Sequence, residues 1–592
     1  MKDFLKMSLA TVVGLIVFSA VSFIFSLVIL LGITAAFGGS NPNIPNEGIL
    51  KIDMSTFALT EQSIEVNPLN MITSGEKTTD NIGIWDAVQS INAAANDPAV
   101  KFIYLLPDHV MGGTAQIEEF RTALQNFKDS GKAVVSFITN PTNAGYYLAS
   151  VSDKIYMTPY EGFINNFTGV SSQMIFLKDI LDKIGVNVQL IRHGKYKSAG
   201  EMFIRNSSSK ENLEQNEAMI RSIWDNLGIS MAQSREISLE KLNSLLDNLS
   251  LNSANDFINA GLVDEALSRE ELGEKLATLY LADSADDLKY IPFADYVTAK
   301  KNKINLSDKK VAVIFADGNI VDGKDKQQVA GDHFASVIAK IRKDSTVRAV
   351  VLRVNSPGGS VLASEKIKAE LDLLRENVPV IASYGAYAAS GGYWISANSD
   401  YIFSNATTLT GSIGVFSMIP DFGKAVKNNL HVTITSVNSN KHSDMYSMMR
   451  PLDKAEVAYM QASVETIYNK FTSLVAQGRD MSVEAVDNIA QGRVWTGAEA
   501  LEIGLVDQIG TLEDAVNYAA QLIDGVASYK EVDVECYPKP LTTVEMLLES
   551  INGPTEVFAG TPLESVEAAF RSWNQTQSGK VYARLPYEIT IQ

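Results

Sequence analysis

The chain has 592 residues, too many for a single hydrophobic core, so two to four domains are expected. A formal net charge of −19 and a pI near 4.9 exclude nucleic acid as a natural partner. One cysteine, Cys536, excludes an internal disulfide and a cysteine-based metal site, and the five scattered histidines form no HExxH-like pair; no cofactor or metal is expected.

Residues 7–37 contain no charged side chain and are dominated by Leu, Ile, Val, Phe and Ala. About 20 such residues span a bilayer, so the run predicts a transmembrane helix. Lys2 and Lys6 precede it and the next cation is Lys51, which leaves residues 1–6 in the cytoplasm and the body outside the cytoplasmic membrane. The alternative is a cleaved signal peptide with Thr34, Ala35 and Ala36 as a loose cleavage site. Its apolar region would be about 7–15 residues, well short of this run, so a single-pass anchor is the expectation.

A Gly/Pro/Asn linker over residues 38–46 leads into the globular part, whose first strand-like run is Ile49 to Ile52. A second start of the same kind appears at Lys310 to Phe315 and exposes an internal repeat. Val100 to Leu106 matches Val347 to Arg353 at an offset of 247, and Gly112-Gly113 matches Gly358-Gly359 at 246. Gly145-Tyr146-Tyr147-Leu148 matches Gly392-Tyr393-Trp394-Ile395 at 247, and Gly261 to Asp264 matches Gly504 to Asp507 at 243. Two copies of one α/β unit are expected, over residues 38–305 and 306–540, followed by a tail, 541–592, in which no chemistry is legible.

The second copy holds two glycine-rich turns, Asn355-Ser356-Pro357-Gly358-Gly359-Ser360 and Ala388-Ala389-Ser390-Gly391-Gly392-Tyr393-Trp394. Each follows a short run of β-branched or small apolar residues, Ala349 to Val354 and Pro379 to Ser383, which reads as a buried parallel strand. After the first turn Ile367, Leu371 and Leu374 recur at helical spacing, giving strand, turn, helix, strand, turn, helix. Gly358 and Gly359 are expected at the start of that helix, their amides facing a ligand oxyanion, with the Gly391 amide as a further donor. Ser390 stands among Ala and Gly only, where its hydroxyl can meet a substrate, and Tyr384, Tyr387, Ala388 and Ala389 are expected to form an apolar wall around it. Two connecting turns without chemistry are the plainer alternative. The copies are unequal: Asn143 replaces Ser390, and Gly112-Gly113 lacks the preceding Ser-Pro. Lys195, Lys197 and Lys441 lie in corresponding stretches of the two copies, and each by default is a solvated surface lysine.

Together with Thr410-Gly411-Ser412-Ile413-Gly414-Val415, Gly194 to Ala199 and Gln491 to Gly497, these motifs resemble the long form of the signal peptide peptidase A family. The resemblance runs over nearly the whole chain. It implies two tandem Clp/crotonase-like repeats of stacked ββα units and a membrane-anchored serine endopeptidase working on hydrophobic peptides, chiefly cleaved signal peptides. It implies Ser390 as nucleophile, Lys197 as general base and Ser412 as the residue holding the lysine amine. Lys195 and Lys441 are rivals for the base, and neither fits the Gly-x-Tyr-Lys-Ser pattern. The family further implies a tetramer-like ring of subunits in contact with membrane lipid. A crotonase-type acyl-CoA enzyme would need a carboxylate near the glycine turns, and a non-catalytic membrane scaffold would need no Ser-Lys pair.

Overall fold

The computed structural model describes residues 44–63, 80–300, 307–539 and 580–585, together with Gly14, Phe18 and Val21. Apart from those three residues the apolar run 7–37 lies outside the described residues, as does the tail apart from 580–585. Among the described residues no helix is long and apolar enough to cross a membrane.

Two parallel sheets share one strand order. In the first the order is Glu265–Ala266, Lys154–Met157, Val134–Ile138, Val100–Leu106, Gly48–Asp53, Tyr290–Pro292. In the second, Gln508–Ile509, Tyr401–Ser404, Val380–Ala389, Val347–Ser356, Lys310–Asp317 and Asp533–Tyr537 follow one another in the same way. Parallel strands need crossovers, and the crossovers here are helices that cover the sheet faces. Val311 to Ala316 are accordingly buried without alternation.

The strands bounding the glycine turns run longer than the sequence suggests. Val347–Ser356 absorbs Asn355 and Ser356, and Val380–Ala389 continues to the residue before Ser390. One apolar cluster joins both copies: Ile52, Ile103 and Phe120 pack in it together with Val313, Val351 and Val516. The two units therefore bury apolar surface against each other, each large side chain contributing about 1.5–3 kcal/mol.

A third sheet stitches the copies together at the turns. Its order is Val329–Ala330, Ile320–Val321, Gly358–Ser360, Tyr582–Arg584, Val415–Asp421, Asn187–His193. Asn187–His193, from the first copy, pairs antiparallel with Val415–Asp421, from the second, over seven residue pairs from Val415↔His193 to Asp421↔Asn187. This pairing carries the first copy's lysine-rich turn to the second copy's glycine turns.

Candidate active site

Ser390 sits between strand Val380–Ala389 and helix Gly391–Ser396, in a left-handed backbone conformation with φ 56° and ψ −111°. The strain is held from both sides: its amide donates to the Gly411 carbonyl at 2.8 Å and its carbonyl accepts from the Trp394 amide at 2.8 Å. A serine at a helix N-cap ordinarily accepts a bond from the helix's own amides. Ser390 makes no such bond, and its Oγ lies instead 2.8 Å from Lys197 Nζ.

Lys197 lies in the loop after Asn187–His193. Its Nζ also lies 3.0 Å from the Ser412 carbonyl oxygen and 3.0 Å from Ser412 Oγ. Lys197, Ser390 and Ser412 are all 0% exposed. Among the described ion pairs none involves Lys197, and burial alone pushes its amine well below the ordinary lysine value. Ser412 Oγ donates to the Gly492 carbonyl at 3.4 Å, which leaves its lone pairs toward the amine.

The cradle of the lysine is the segment Gln491-Gly492-Arg493. Tyr196 donates its amide to the Gln491 carbonyl at 2.9 Å, and the Ser412 amide donates to the Arg493 carbonyl at 2.7 Å. Gly492 has φ 78°, and a Cβ there would stand 2.6 Å from the Cβ of Lys197, so only glycine allows the two backbones this close. Gln215 closes the cradle from helix Lys210–Ser234, donating to the Tyr196 carbonyl and to Ser198 Oγ, both at 3.2 Å. Arg192 donates to the Lys197 carbonyl at 2.6 Å.

The first glycine turn departs from its expected form. Gly358–Ser360 is a short strand, and the helix begins one residue later at Val361 with Ser360 as its cap. The cause is close packing: Gly358 has φ 98°, and a Cβ on Gly359 would overlap the Ile320 carbonyl oxygen. The Gly358 amide donates to Ser356 Oγ at 3.2 Å, so the donors facing the serine turn are Gly359 and Gly391. Gly391 opens its helix, and its amide has no intrahelical acceptor. The expected wall also changes. Tyr384 turns into the core, its hydroxyl 2.9 Å from Ser396 Oγ, because the aromatic ring is worth more buried against Tyr393 than beside a polar turn.

Lys195 is exposed, with its Nζ 5.1 Å above the Tyr196 ring, and Lys441 is exposed as well. In the first copy Asn143, the counterpart of Ser390, is locked to Gly169: its amide donates to the Gly169 carbonyl and its carbonyl accepts from the Gly169 amide, both at 2.9 Å. Thr142 caps that helix with φ −126°, so the strained serine turn has no equivalent there.

One group the motifs did not reveal is Arg353, wholly buried in strand Val347–Ser356. Its guanidinium bonds Glu61 at 2.7 Å and Glu119 at 2.8 Å, both from the first copy, and donates to the Tyr384 carbonyl at 3.1 Å. Burial pushes the Glu119 carboxyl up, and burial alone would lower the arginine. Coulombic attraction to Glu119 and Glu61 raises it instead. A lone arginine in an apolar strand run was the available signal, since a buried charge must be paired.

The model of peptidase family S49 matches residues 126–283 and 372–525, together more than half of the chain. This chain belongs to peptidase family S49. Lys197 falls in the first matched stretch, and Ser390 and Ser412 in the second. Among the chain's relatives, "Protease 4" of Haemophilus influenzae is 34% identical over 516 residues, 84% of this chain and 83% of the relative. "Protease 4" of Salmonella typhi is 35% identical over 573 residues, 92% and 90% of the two chains. "Serine protease SPPA, chloroplastic" of Arabidopsis thaliana is 30% identical over 468 residues, 77% and 68%. As a member of this family with relatives named as proteases, the chain is a serine protease.

Proposed function

We propose that this S49 protease cuts peptide bonds with Ser390 as nucleophile and Lys197 as general base. The observation that carries the reading is the 2.8 Å separation of Nζ and Oγ in a buried pocket with no carboxylate partner for the lysine among the described residues. A neutral amine has two N–H bonds and one lone pair. The N–H bonds donate to the carbonyl oxygen and Oγ of Ser412, and the lone pair then faces the Ser390 hydroxyl. As Oγ attacks the peptide carbonyl carbon, its proton passes to Nζ. The Gly359 and Gly391 amides hold the oxyanion, and Gly358 shapes the turn that aims them. The ammonium then gives its proton to the leaving amine, and water hydrolyses the acyl-serine by the same route in reverse.

The substrates on this reading are hydrophobic peptides, chiefly cleaved signal peptides, as the motif resemblance implies. Residues 7–37 anchor the chain in the cytoplasmic membrane with its body on the extracytoplasmic side. A ring-like homo-oligomer is supported by exposed apolar side chains on two segments, Ile180 and Ile184 on one and Leu430, Val432 and Ile434 on the other. There the Asn429 side chain ties the two segments together through the Ile184 carbonyl at 2.7 Å. The reading is tested by incubating the purified protein with a synthetic signal peptide. Cleavage by the wild-type chain and none by Ser390→Ala is expected; equal cleavage by both overturns it.

A further inference from the structure

The turn that carries Lys197 is docked on Gln491, and Gln491 is itself strained. Its φ of 55° lies in the left-handed region that residues with a Cβ rarely adopt. Its neighbours are Ala490, with ψ −114°, and Gly492, with φ 78°. The Lys197 amide donates to the Gly194 carbonyl at 3.2 Å, so the turn closes on itself. The Tyr196 amide then fastens the closed turn to the Gln491 carbonyl at 2.9 Å. The two backbones touch here: a Cβ on Gly194 would stand 2.5 Å from that same carbonyl oxygen.

A left-handed glutamine persists only where its surroundings impose it. Here they are a phenol and a carboxylate. The Gln491 amide donates to Tyr468 Oη at 3.3 Å, and its Nε2 donates to the same Oη at 3.3 Å and to Asp487 Oδ1 at 2.7 Å. Tyr468 Oη donates in turn to Asp487 Oδ1. Tyr468 is buried on helix Lys454–Gly478, and Asp487 stands on helix Val483–Ile489. Burial, and then the Asp487 carboxylate, push the phenol above its ordinary value, so it stays a donor. Its ring is fixed as well: His193 stacks on it with centroids 3.7 Å apart, and His193 Nδ1 lies 2.6 Å from Glu465 Oε2. Gln461, Glu465 and Tyr468 recur at helical spacing on one face, and Gln461 donates to the Arg192 carbonyl at 3.4 Å. The helix thereby grips the end of the strand that leads into the lysine turn.

We propose that Tyr468 and Asp487 are positioning residues for the base: they lock Gln491 in its left-handed conformation and so fix the turn that delivers Lys197 Nζ to Ser390 Oγ. The proposal rests on the Ser390–Lys197 reading above. Among the described hydrogen bonds neither residue reaches Lys197, Ser390 or Ser412, so both act through Gln491. Without the phenol the Gln491 amide loses its acceptor, the residue relaxes, and its carbonyl withdraws from Tyr196. Two consequences follow for the base. Nζ drifts from Oγ, and a displacement of about 1 Å costs on the order of 10²-fold in rate. Water also enters beside the amine and moves its pKa back toward the ordinary lysine value of about 10.4.

The test measures kcat, KM and the pH profile of kcat for full-length variants on an internally quenched synthetic signal peptide. Tyr468→Phe keeps the ring against His193 and removes only the hydroxyl. Tyr468→Phe and Asp487→Ala are each expected to lower kcat about tenfold or more at neutral pH, with KM within about twofold of wild type. Both should move the rising limb of the profile to higher pH, so that the deficit shrinks as pH approaches about 10.4. Asp487→Asn keeps the acceptor oxygen and is expected to hold kcat within about threefold of wild type. The Tyr468→Phe/Asp487→Ala double variant should be no slower than the worse single one, because both act through Gln491. Wild-type kcat in both single variants overturns the proposal, as does a loss with an unmoved limb or with additive effects. If Ser390→Ala and Lys197→Arg are inactive in the same assay, only the positioning role falls; if either cleaves like wild type, the catalytic reading falls with it.

Discussion

Lys197 and Ser390 are 193 residues apart in the chain, and their side chains meet at 2.8 Å in a pocket closed to solvent. The antiparallel pairing of Asn187–His193 with Val415–Asp421 brings them together, so each copy of the repeat contributes one half of the pair. Four expectations follow from the surroundings of these two residues.

Replacing Ser390 by alanine removes the oxygen proposed to attack and leaves a methyl group that the turn already accommodates. Peptide turnover should fall by about 10⁴-fold or more, and the unfolding free energy from urea titration should stay within about 1 kcal/mol of wild type. Ser412→Ala should lower kcat less, since on the proposed reading Ser412 only orients the amine. The reverse ranking, with Ser412→Ala dead and Ser390→Ala active, would exchange their roles.

Lys197 titrates below the ordinary lysine value because burial disfavours its ammonium form. Activity should therefore rise with pH along a single ionisation below about 10.4. Between the folded and unfolded pKa the unfolded chain holds one more proton, so stability also rises with pH across that window. Lys197→Met should be inactive yet more stable than wild type at neutral pH, and the gap should close as pH approaches about 10.4. Lys197→Arg should be inactive as well, because guanidinium stays protonated. Lys195→Ala and Lys441→Ala should keep substantial activity. Urea titrations and kcat profiles across pH decide the matter, and an active Lys197→Arg enzyme would remove Lys197 as the base.

Gly492→Ala places a Cβ 2.6 Å from that of Lys197 at a residue with φ 78°. The lysine loop must shift, and a displacement of about 1 Å costs on the order of 10²-fold in kcat. KM should change much less, since Gly492 packs against Lys197, the proposed base. A Gly492→Ala enzyme with wild-type kcat would show that the cradle does not position the amine.

Arg353→Met leaves Glu61 and Glu119 buried without their cation. The expected loss of stability is about 3–5 kcal/mol at neutral pH. Burial already pushes the Glu119 carboxyl up, and without the guanidinium it would titrate further above its unfolded value, so the folded chain would bind more protons and regain stability as pH falls through that range. Urea midpoints at neutral and mildly acidic pH measure this. A loss that is the same at both would assign the defect to packing rather than to unpaired charge.

The sequence by itself determined the repeat and the second copy's unusual turns. Val100–Leu106 and Val347–Ser356, matched by their offset, hold the same place in two sheets of one strand order. That much is local: runs of β-branched residues make buried strands wherever helices cover them, and a serine among Ala and Gly makes a bare turn. What separates Lys197 from Lys195 is tertiary. Two residues apart in one loop, one is exposed over Tyr196 and the other 0% exposed, because Gly492 lets the loop's backbone press against Gln491 and Arg493. The partners of Arg353 come from residues 61 and 119, on other elements of the first copy, which no local pattern links to it. Residues 580–585 have no legible chemistry as a sequence. Only the tertiary structure gives them a place, as a strand paired antiparallel with Gly358–Ser360 and Val415–Asp421, because backbone hydrogen bonding selects for shape and register rather than for side chains.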